Sequence, residues 1–140
     1  MIVRSIQPTP VTAVQIASEG IPSVMLGNRS EDPGINFACT DMRGHVGMLM
    51  DHFVGQGHTR IGLSIHGVVD HDMRERHEAY LEAHARHGLK LDPDLVVQAS
   101  ELGSPKVGAR AIDRLLRMED PPTSVFLTGP LSTLGALHRW

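Results

Sequence analysis

The junction between a helical pattern and an apolar run at "HFVGQGHTRIGLSIHG" (52–67) is the feature that most constrains the fold. Upstream, four apolar residues recur at i, i+3, i+4 and i+7, which is the stripe of an amphipathic helix. They are Val46, Leu49, Met50 and Phe53. Directly afterwards, "RIGLSI" forms a short apolar run that is typical of a buried strand. Gly57 can take the left-handed conformation without a Cβ penalty, so the sequence predicts a helix that ends there and turns at once into a strand.

The same alternation recurs along the chain and predicts the order β-α-β-β-α-β-α-β-α-β-α. Short apolar runs predict the strands, and amphipathic patterns predict the helices. The predicted strands are 2–6, 21–27, 35–40, 60–65, 94–98 and 121–129, and the predicted helices cover 11–18, 41–57, 73–87, 104–116 and 131–139. Strands that alternate with amphipathic helices are typical of a parallel sheet flanked by helices on both faces. The predicted fold class is therefore α/β.

Several side chains carry local predictions. Asp41 and Ser104 are residue types that cap helix N-termini, and Pro follows Ser104 at the first helical position. His58, just past a helix end, is expected to hydrogen-bond the last-turn carbonyls. Gly44 and Gly47 weaken the second helix, and we expect close packing against a sheet to compensate. The inner face of the fourth helix is predicted to contain Gly108, Ala111, Ile112, Leu115 and Leu116.

Composition and charge limit the classes of function. The 140 residues suit one domain or part of a larger one. The formal net charge of −3 provides no basic field for nucleic acid. The lone Cys39 excludes an internal disulfide framework, fits a reducing compartment and, in an apolar run, predicts a buried inert thiol. We find no secretory or membrane-spanning segment, so the predicted location is the cytoplasm, with no membrane partner.

Catalytic and metal-binding patterns are weak. Five possible ligands of a transition metal occur in "HGVVDHDMRERH": His66, Asp70, His71, Asp72 and His77. They show no HExxH-type spacing, so scattered histidines on a polar face are the preferred interpretation. The chain also has no GxSxG nucleophile elbow, GxGxxG fingerprint or phosphate-binding loop. The sequence predicts no catalytic residue, metal or cofactor, and a metal-dependent enzyme stays open only as a third alternative.

Six segments occur in an order and spacing that resemble a known family. They are "GIPSVMLGNR", "TDMRG", "GQGHTRIGLSIHG", "RERHEAYLEAHARHGL", "DLVV" and "PTSVFLTGPLSTLGAL". Together they resemble the effector-sensing domain of the LacI/GalR family of bacterial transcription regulators. The resemblance implies a periplasmic-binding-protein-like fold with an incomplete two-lobe architecture. Residues 1–40 would form part of the N-terminal, DNA-proximal lobe, and residues 41–140 most of the C-terminal, distal lobe. The family's helix-turn-helix is absent, which implies an internal fragment or a truncated relative.

The resemblance also implies a set of ligand-binding residues, because ligands of open α/β sheets bind at the carboxyl ends of the strands. Arg76 matches the family's effector-binding arginine, whose planar guanidinium suits sugar hydroxyls or carboxylates. Asp70 and Asp72 match positions that face the ligand. Asn28 and Arg29 are candidates for replacement contacts.

Other positions depart from the family's pattern. Gly27 replaces an effector-binding Asp, and Gly103 falls near a position often held by a ring that stacks on the ligand. "TGP" (128–130) replaces an Asn-Asp pair, and neither Gly129 nor Pro130 carries a side-chain hydrogen-bonding group. These departures indicate an unusual effector or weakened binding.

The predicted function is the effector-sensing region of a LacI/GalR-type repressor, which is not an enzyme. A small sugar-like or nucleoside-like metabolite is expected to bind one arrangement of the lobes better and to shift their populations. The partners implied for a full-length protein are operator DNA, through the absent helix-turn-helix, and a second copy in a homodimer. A periplasmic sugar-binding protein of a transporter is the main alternative.

Overall fold

The computed structural model describes residues 1–4, 11–27, 29–30, 32–67, 71–101 and 103–139. The strands are β1 (Ile2–Arg4), β2 (Val24–Leu26), β3 (Asn36–Ala38), β4 (Ile61–His66), β5 (Val96–Ala99) and β6 (Ser124–Leu127). The helices are α1 (Val11–Ser18), α2 (Met42–Gly55), α3 (His71–Arg86), α4 (Pro105–Leu116) and α5 (Pro130–Leu137), with a 3-10 helix at Pro93–Leu95. Their order is the predicted one. None of the helices in these ranges is long and apolar enough to cross a bilayer.

The strands form two parallel three-stranded sheets. The first sheet has the order β1-β2-β3, and the second has the order β5-β4-β6. At the centre of the second sheet, Leu63 on β4 lies opposite Val96 on β5 and Phe126 on β6. The predicted parallel α/β arrangement is confirmed.

The central strand β4 is buried on both faces. Ile61, Leu63 and Ile65 join a core cluster to which α2 and α3 contribute. On the opposite face, a Cβ at Gly62 would lie only 3.0 Å from Cδ1 of Leu115 on α4. Helices therefore cover both faces of the second sheet, as its continuous apolar run predicts.

The helices α4 and α5 cross in direct backbone contact. A Cβ at Gly108 would overlap the carbonyl oxygen of Ser132, and a Cβ at Gly135 would overlap that of Pro105. Each helix therefore carries a glycine where the other crosses it, because any side chain there would push the two helices apart.

The turn that ends α2 confirms one prediction and corrects another. Gly57 has φ of +88°, its N–H donates to the Val54 carbonyl, and the His58 N–H donates to the Phe53 carbonyl. These bonds form a Schellman motif, so the predicted stop at Gly57 is confirmed. The role predicted for the His58 side chain is wrong, since its Nδ1 lies 2.9 Å from Oγ1 of Thr123. The backbone already satisfies the last-turn carbonyls, so the imidazole instead joins the end of α2 to the segment before β6.

The start of α2 also needs a correction. Asp41 caps the helix as predicted, because its Oδ1 accepts the Gly44 N–H at 2.9 Å. However, Gly44 and Gly47 do not approach a sheet. A Cβ at Gly44 would collide with the Asp41 carboxylate, and the nearest group to a Cβ at Gly47 is Arg86 on α3. The cap and the neighbouring helix, rather than a sheet, occupy the space beside these glycines.

Three smaller predictions, two about burial and one about where a strand begins, are wrong. Leu116 is 42% exposed, because it lies one residue beyond buried Leu115 and hence points about 100° away around the helix. Cys39 is exposed rather than buried, because it follows β3, a strand whose three residues are themselves all exposed. Asp94 and Leu95 belong to the 3-10 helix and not to β5.

Candidate functional site

The carboxyl ends of the strands position the loops at which an α/β sheet binds ligands. In the second sheet these ends are His66, Ala99 and Leu127, and they share one edge because the strands are parallel. In the first sheet they include Leu26 and Ala38. Because α2 follows β3 and α3 follows β4, the starts of these two helices lie at the carboxyl ends of strands in different sheets.

Arg76 lies on α3 and reaches the start of α2. Its half-buried guanidinium places Nη2 3.2 Å from Sδ of Met42 and Nη1 3.4 Å from Sδ of Met73. Thioether sulfur is a weak acceptor, so these contacts leave the guanidinium able to bind a stronger one. The arginine predicted to bind ligand therefore lies beside the carboxyl ends of both β3 and β4.

Arg29, in the segment after β2, is also held beside α3. Its Nη1 lies 4.0 Å from Oε1 of Glu75, and its Cζ lies 5.9 Å from the centroid of the Phe37 ring on β3. Nδ1 of His71 approaches the same Glu75 oxygen at 3.8 Å. Since Glu75 precedes Arg76 in α3, Arg29 and Arg76 approach the same turn of that helix.

The remaining predicted ligand-binding residues are only partly placed. Asp72 is half-buried in the first turn of α3, where a carboxylate interacts favourably with the helix dipole. Asp70 and Asn28 lie outside the described residues. The structure thus associates Arg76, Arg29 and Asp72 with the start of α3.

His66 is a further side chain at this edge. Its imidazole lies between the loops that follow β5 and β6. A Cβ at Gly103 would be 2.5 Å from Nε2 of His66, and a Cβ at Gly129 would be 2.6 Å from the same atom. Real Cβ atoms essentially never approach a neighbour so closely. The ring therefore occupies the volume that side chains at positions 103 and 129 would fill.

Three polar side chains of these two loops are engaged within the fold. Glu101 forms an ion pair with an arginine of α4. Ser104 caps α4 as predicted, since its Oγ accepts a backbone N–H of that helix at 3.3 Å. Oγ1 of Thr128 donates to the Ser64 carbonyl at 2.9 Å. Each of these three side chains therefore has a partner within the protein.

Metal binding finds no support in the described ranges, where no group of three or more His, Cys, Asp and Glu side chains could hold an ion. Of the five residues considered from the sequence, His66 lies beside two glycines, and His71 approaches Glu75. Asp70 lies outside the described residues.

Perturbed pKa values occur elsewhere in the structure. Burial raises the pKa of Tyr80 to about 12, and its hydroxyl donates to the carbonyl of Ile61 at the amino end of β4, at 2.7 Å. A hydrogen bond from Arg60 lowers the pKa of Asp92, and one from His87 lowers that of Asp51. The partners of Tyr80, Asp92 and Asp51 therefore belong to the fold, and none of these three residues is a candidate ligand-binding residue.

Comparison with known proteins decides the family. Residues 50–140 match the model of the periplasmic binding protein-like domain. The chain belongs to this family. Among curated proteins, this periplasmic binding protein-like chain is 28% identical over 125 residues to the probable HTH-type transcriptional repressor ExuR of Bacillus subtilis. The matched residues make up 88% of the chain and 36% of ExuR. It is 32% identical over 91 residues to the HTH-type transcriptional repressor CytR of Escherichia coli, covering 64% of the chain and 26% of CytR.

Solved structures agree on the fold. A LacI-family regulatory protein from Chloroflexus aggregans superposes with a TM-score of 0.89 at 20% identity, over 99% of this chain and 49% of that one. The predicted periplasmic-binding-protein-like fold is confirmed, and the similarity to these regulators agrees with the predicted resemblance to the LacI/GalR family. ExuR and CytR are named as repressors rather than enzymes, in agreement with the predicted non-enzymatic role. The chain spans 36% of ExuR and 26% of CytR.

Sequence reasoning treated His66 of this periplasmic binding protein-like chain only as a metal-ligand candidate. In the sequence, His66 at the end of β4 is far from Gly103 and Gly129, so nothing indicates that its ring packs against these two glycines. Only the parallel pairing of β4 with β5 and β6 brings the three together.

Proposed function

We propose that this chain is the effector-sensing region of a LacI/GalR-type transcription repressor and binds a small sugar-like or nucleoside-like metabolite. The position of the Arg76 guanidinium is the observation that carries the proposal. It is half-buried against Met42 and Met73, at the starts of the helices that leave the two sheets. A planar group with several donors at that position suits a ligand enclosed between the sheets. The similarity to the repressors ExuR and CytR supports a regulatory role.

The proposed ligand-binding residues are Arg76, Asp72, Asp70, Asn28 and Arg29. The two guanidinium groups donate hydrogen bonds to hydroxyls or carboxylates, and the two carboxylates accept them from hydroxyls. The approach of Arg29 to Glu75, next to Arg76, supports a site that includes the segment after β2.

The proposed two-lobe organisation assigns residues 1–40 to the DNA-proximal lobe and residues 41–140 to the distal lobe. Two observations support it: the strands form two separate sheets, and α2, which leads from one sheet to the other, packs on α3. A metabolite that binds one arrangement of the lobes better would shift their populations. In a full-length homodimer in the cytoplasm, this shift would alter operator binding through a helix-turn-helix outside this sequence.

Thermal denaturation in the presence of individual sugars and nucleosides tests this proposal. A ligand at 100 times its Kd stabilises a protein by about 2.7 kcal/mol, which gives a clear rise in Tm. Arg76→Ala should remove the rise. Arg74→Ala, an exposed arginine on the same helix, should retain it. A rise that is equally large in Arg76→Ala would contradict the proposed site, and a panel without any rise would contradict the effector-sensing function.

A further inference from the structure

We propose that the cavity between β5 and α4 is a second small-molecule site and takes a small organic carboxylate with an apolar body. The cavity shares no residue with the proposed effector site around Arg76, so the inference goes beyond the proposed function and does not depend on it. Three features carry it: the size and lining of the cavity, a buried serine within that lining, and two arginines from one side of α4.

The cavity lies at the edge of the second sheet, where α4 covers the sheet. Its volume is about 270 Å³, which is room for about nine water molecules at roughly 30 Å³ each. β4 is the only neighbour of β5 among the described strands, so β5 is an edge strand there. Small apolar side chains contribute to the lining: Val97, Ala99, Val107 and Ala111. A cavity of this size and lining suits the apolar body of a molecule smaller than a typical drug.

Ser64 on β4 adds a buried polar group to the lining of the cavity. The residue is 2% exposed, and its carbonyl accepts the hydroxyl of Thr128 at 2.9 Å. The Ser64 hydroxyl itself has no hydrogen-bond partner among the described residues. A buried hydroxyl gains from a partner, and a polar atom of a ligand in the cavity can supply one.

Arg110 and Arg114 line the same cavity from α4. They are four residues apart and therefore lie on one side of the helix. Arg110 is paired with Glu101, and Nη2 of Arg114 lies 3.7 Å from Oδ1 of Asp94, but all four side chains are more than half exposed. Exposed ion pairs contribute little to stability, so an anionic ligand can replace either acidic side chain at small cost.

The combination of charge and apolar lining selects the class of ligand. A guanidinium binds a carboxylate through two parallel N–H bonds, and two guanidinium groups repel a cation. A bare inorganic anion would use the arginines but would leave the apolar lining uncovered. A carboxylate attached to a flat or branched hydrocarbon group uses both, and benzoate is the simplest probe of this class.

A two-dimensional NMR titration of the whole chain with benzoate tests the inference. Benzamide is the neutral molecule of the same shape, and inorganic phosphate is the bare anion. We expect benzoate to shift the amide signals of Val97, Ala99 and Ala111 with a Kd of about 1 mM, and both comparison compounds to bind about tenfold more weakly. Equal binding of benzamide or of phosphate would contradict the ligand class, and no shifts with benzoate would overturn the site.

Charge variants locate the binding. Arg110→Gln and Arg114→Gln should each weaken benzoate binding about tenfold. Arg74→Gln is the matched control, because it removes the same charge from an exposed position on α3. Arg76→Ala should also retain benzoate binding. An equal loss in Arg74→Gln would indicate a general effect of net charge, and a loss in Arg76→Ala would place benzoate in the effector site. Either result overturns the inference and leaves the effector-sensing function standing.

Two further variants test the cavity without changing a charge. Ala99→Leu fills part of the space and should abolish the benzoate shifts, while its Tm should stay near the wild-type value because Ala99 is only half-buried. Ser64→Ala removes the unpartnered hydroxyl, so it should weaken benzoate binding without lowering the Tm of the free chain. Binding that survives in Ala99→Leu, or a lower Tm in free Ser64→Ala, would overturn the inference.

Discussion

The two sheets of this chain differ in how well they are buried. In the second sheet, Ile61 and Leu63 are fully buried in a cluster shared with two helices. In the first sheet, the buried cluster among the described residues contains Met25 and Ile35, while Ile2 and Phe37 are 70% and 38% exposed. The difference follows from strand length and cover, since β4 has six residues and β1, β2 and β3 have three each.

The unequal burial of the two sheets bears on how firmly the candidate site residues are held. Arg76 and His66 belong to the well-packed part of the chain, whereas Arg29 belongs to a segment next to the thin first sheet. Regions with few buried apolar contacts open at lower free energy than well-packed ones. We therefore expect the second sheet to hold its site residues in place before ligand arrives, and the first sheet to gain order from contact with ligand.

The largest effect is expected from the crossing of α4 and α5. Gly108→Ala places a methyl group on the Ser132 carbonyl and should lower the free energy of unfolding by about 4 kcal/mol, because backbone on both sides must move. Urea denaturation followed by circular dichroism measures it. Gly55→Ala is the control, since the space around its Cβ position is open, and this change should leave stability equal or slightly higher. Similar losses in the two variants would contradict the close crossing.

The direct test of the comparison is a pair of core truncations. Leu63→Ala should cost about 3 kcal/mol in global unfolding, because it leaves a cavity in the main core. Met25→Ala should cost about 1 kcal/mol, because the cluster around Met25 is small and its sheet opens locally. Hydrogen exchange should show faster exchange in β1–β3 than in β4 in the wild-type chain. Equal costs with equal protection of both sheets would refute the distinction.

A smaller effect is expected at the amino end of β4. Tyr80→Phe removes the hydrogen bond to the Ile61 carbonyl and should cost about 1–2 kcal/mol at neutral pH. The pKa of Tyr80 is raised from 10.0 to about 12, so the folded state favours the protonated phenol. Its contribution is therefore complete below pH 10.0 and is lost as the pH rises toward about 12. Melting curves across this range should converge for wild type and Tyr80→Phe, and curves that stay parallel would contradict the buried phenol.

Local chemistry made much of the fold predictable from the sequence. The order of elements follows from apolar periodicity, and the ends of helices follow from residues whose effect is confined to one turn: Asp41, Gly57 and Ser104. Two of the failures depend on neighbours that are distant in sequence. His58 binds Thr123, and Gly47 faces Arg86. No pattern within a few residues contains that information.

The candidate site divides in the same way. Family resemblance was enough to select Arg76, and the structure adds that the sulfur atoms of Met42 and Met73 hold its guanidinium. The space around His66 was not predictable, because it is defined by the absence of side chains in two other loops. An absence of this kind becomes informative only when the register of the strands is known.

The reciprocal glycines of α4 and α5 have a consequence for how such a chain can diverge. Gly108 and Gly135 lie on different helices, and each packs against a backbone carbonyl of the opposite helix. Neither position can accept a larger residue on its own, and even a joint replacement requires the helices to separate. Exposed positions on both helices can therefore change without this cost, whereas a change at Gly108 or Gly135 requires the two helices to move apart.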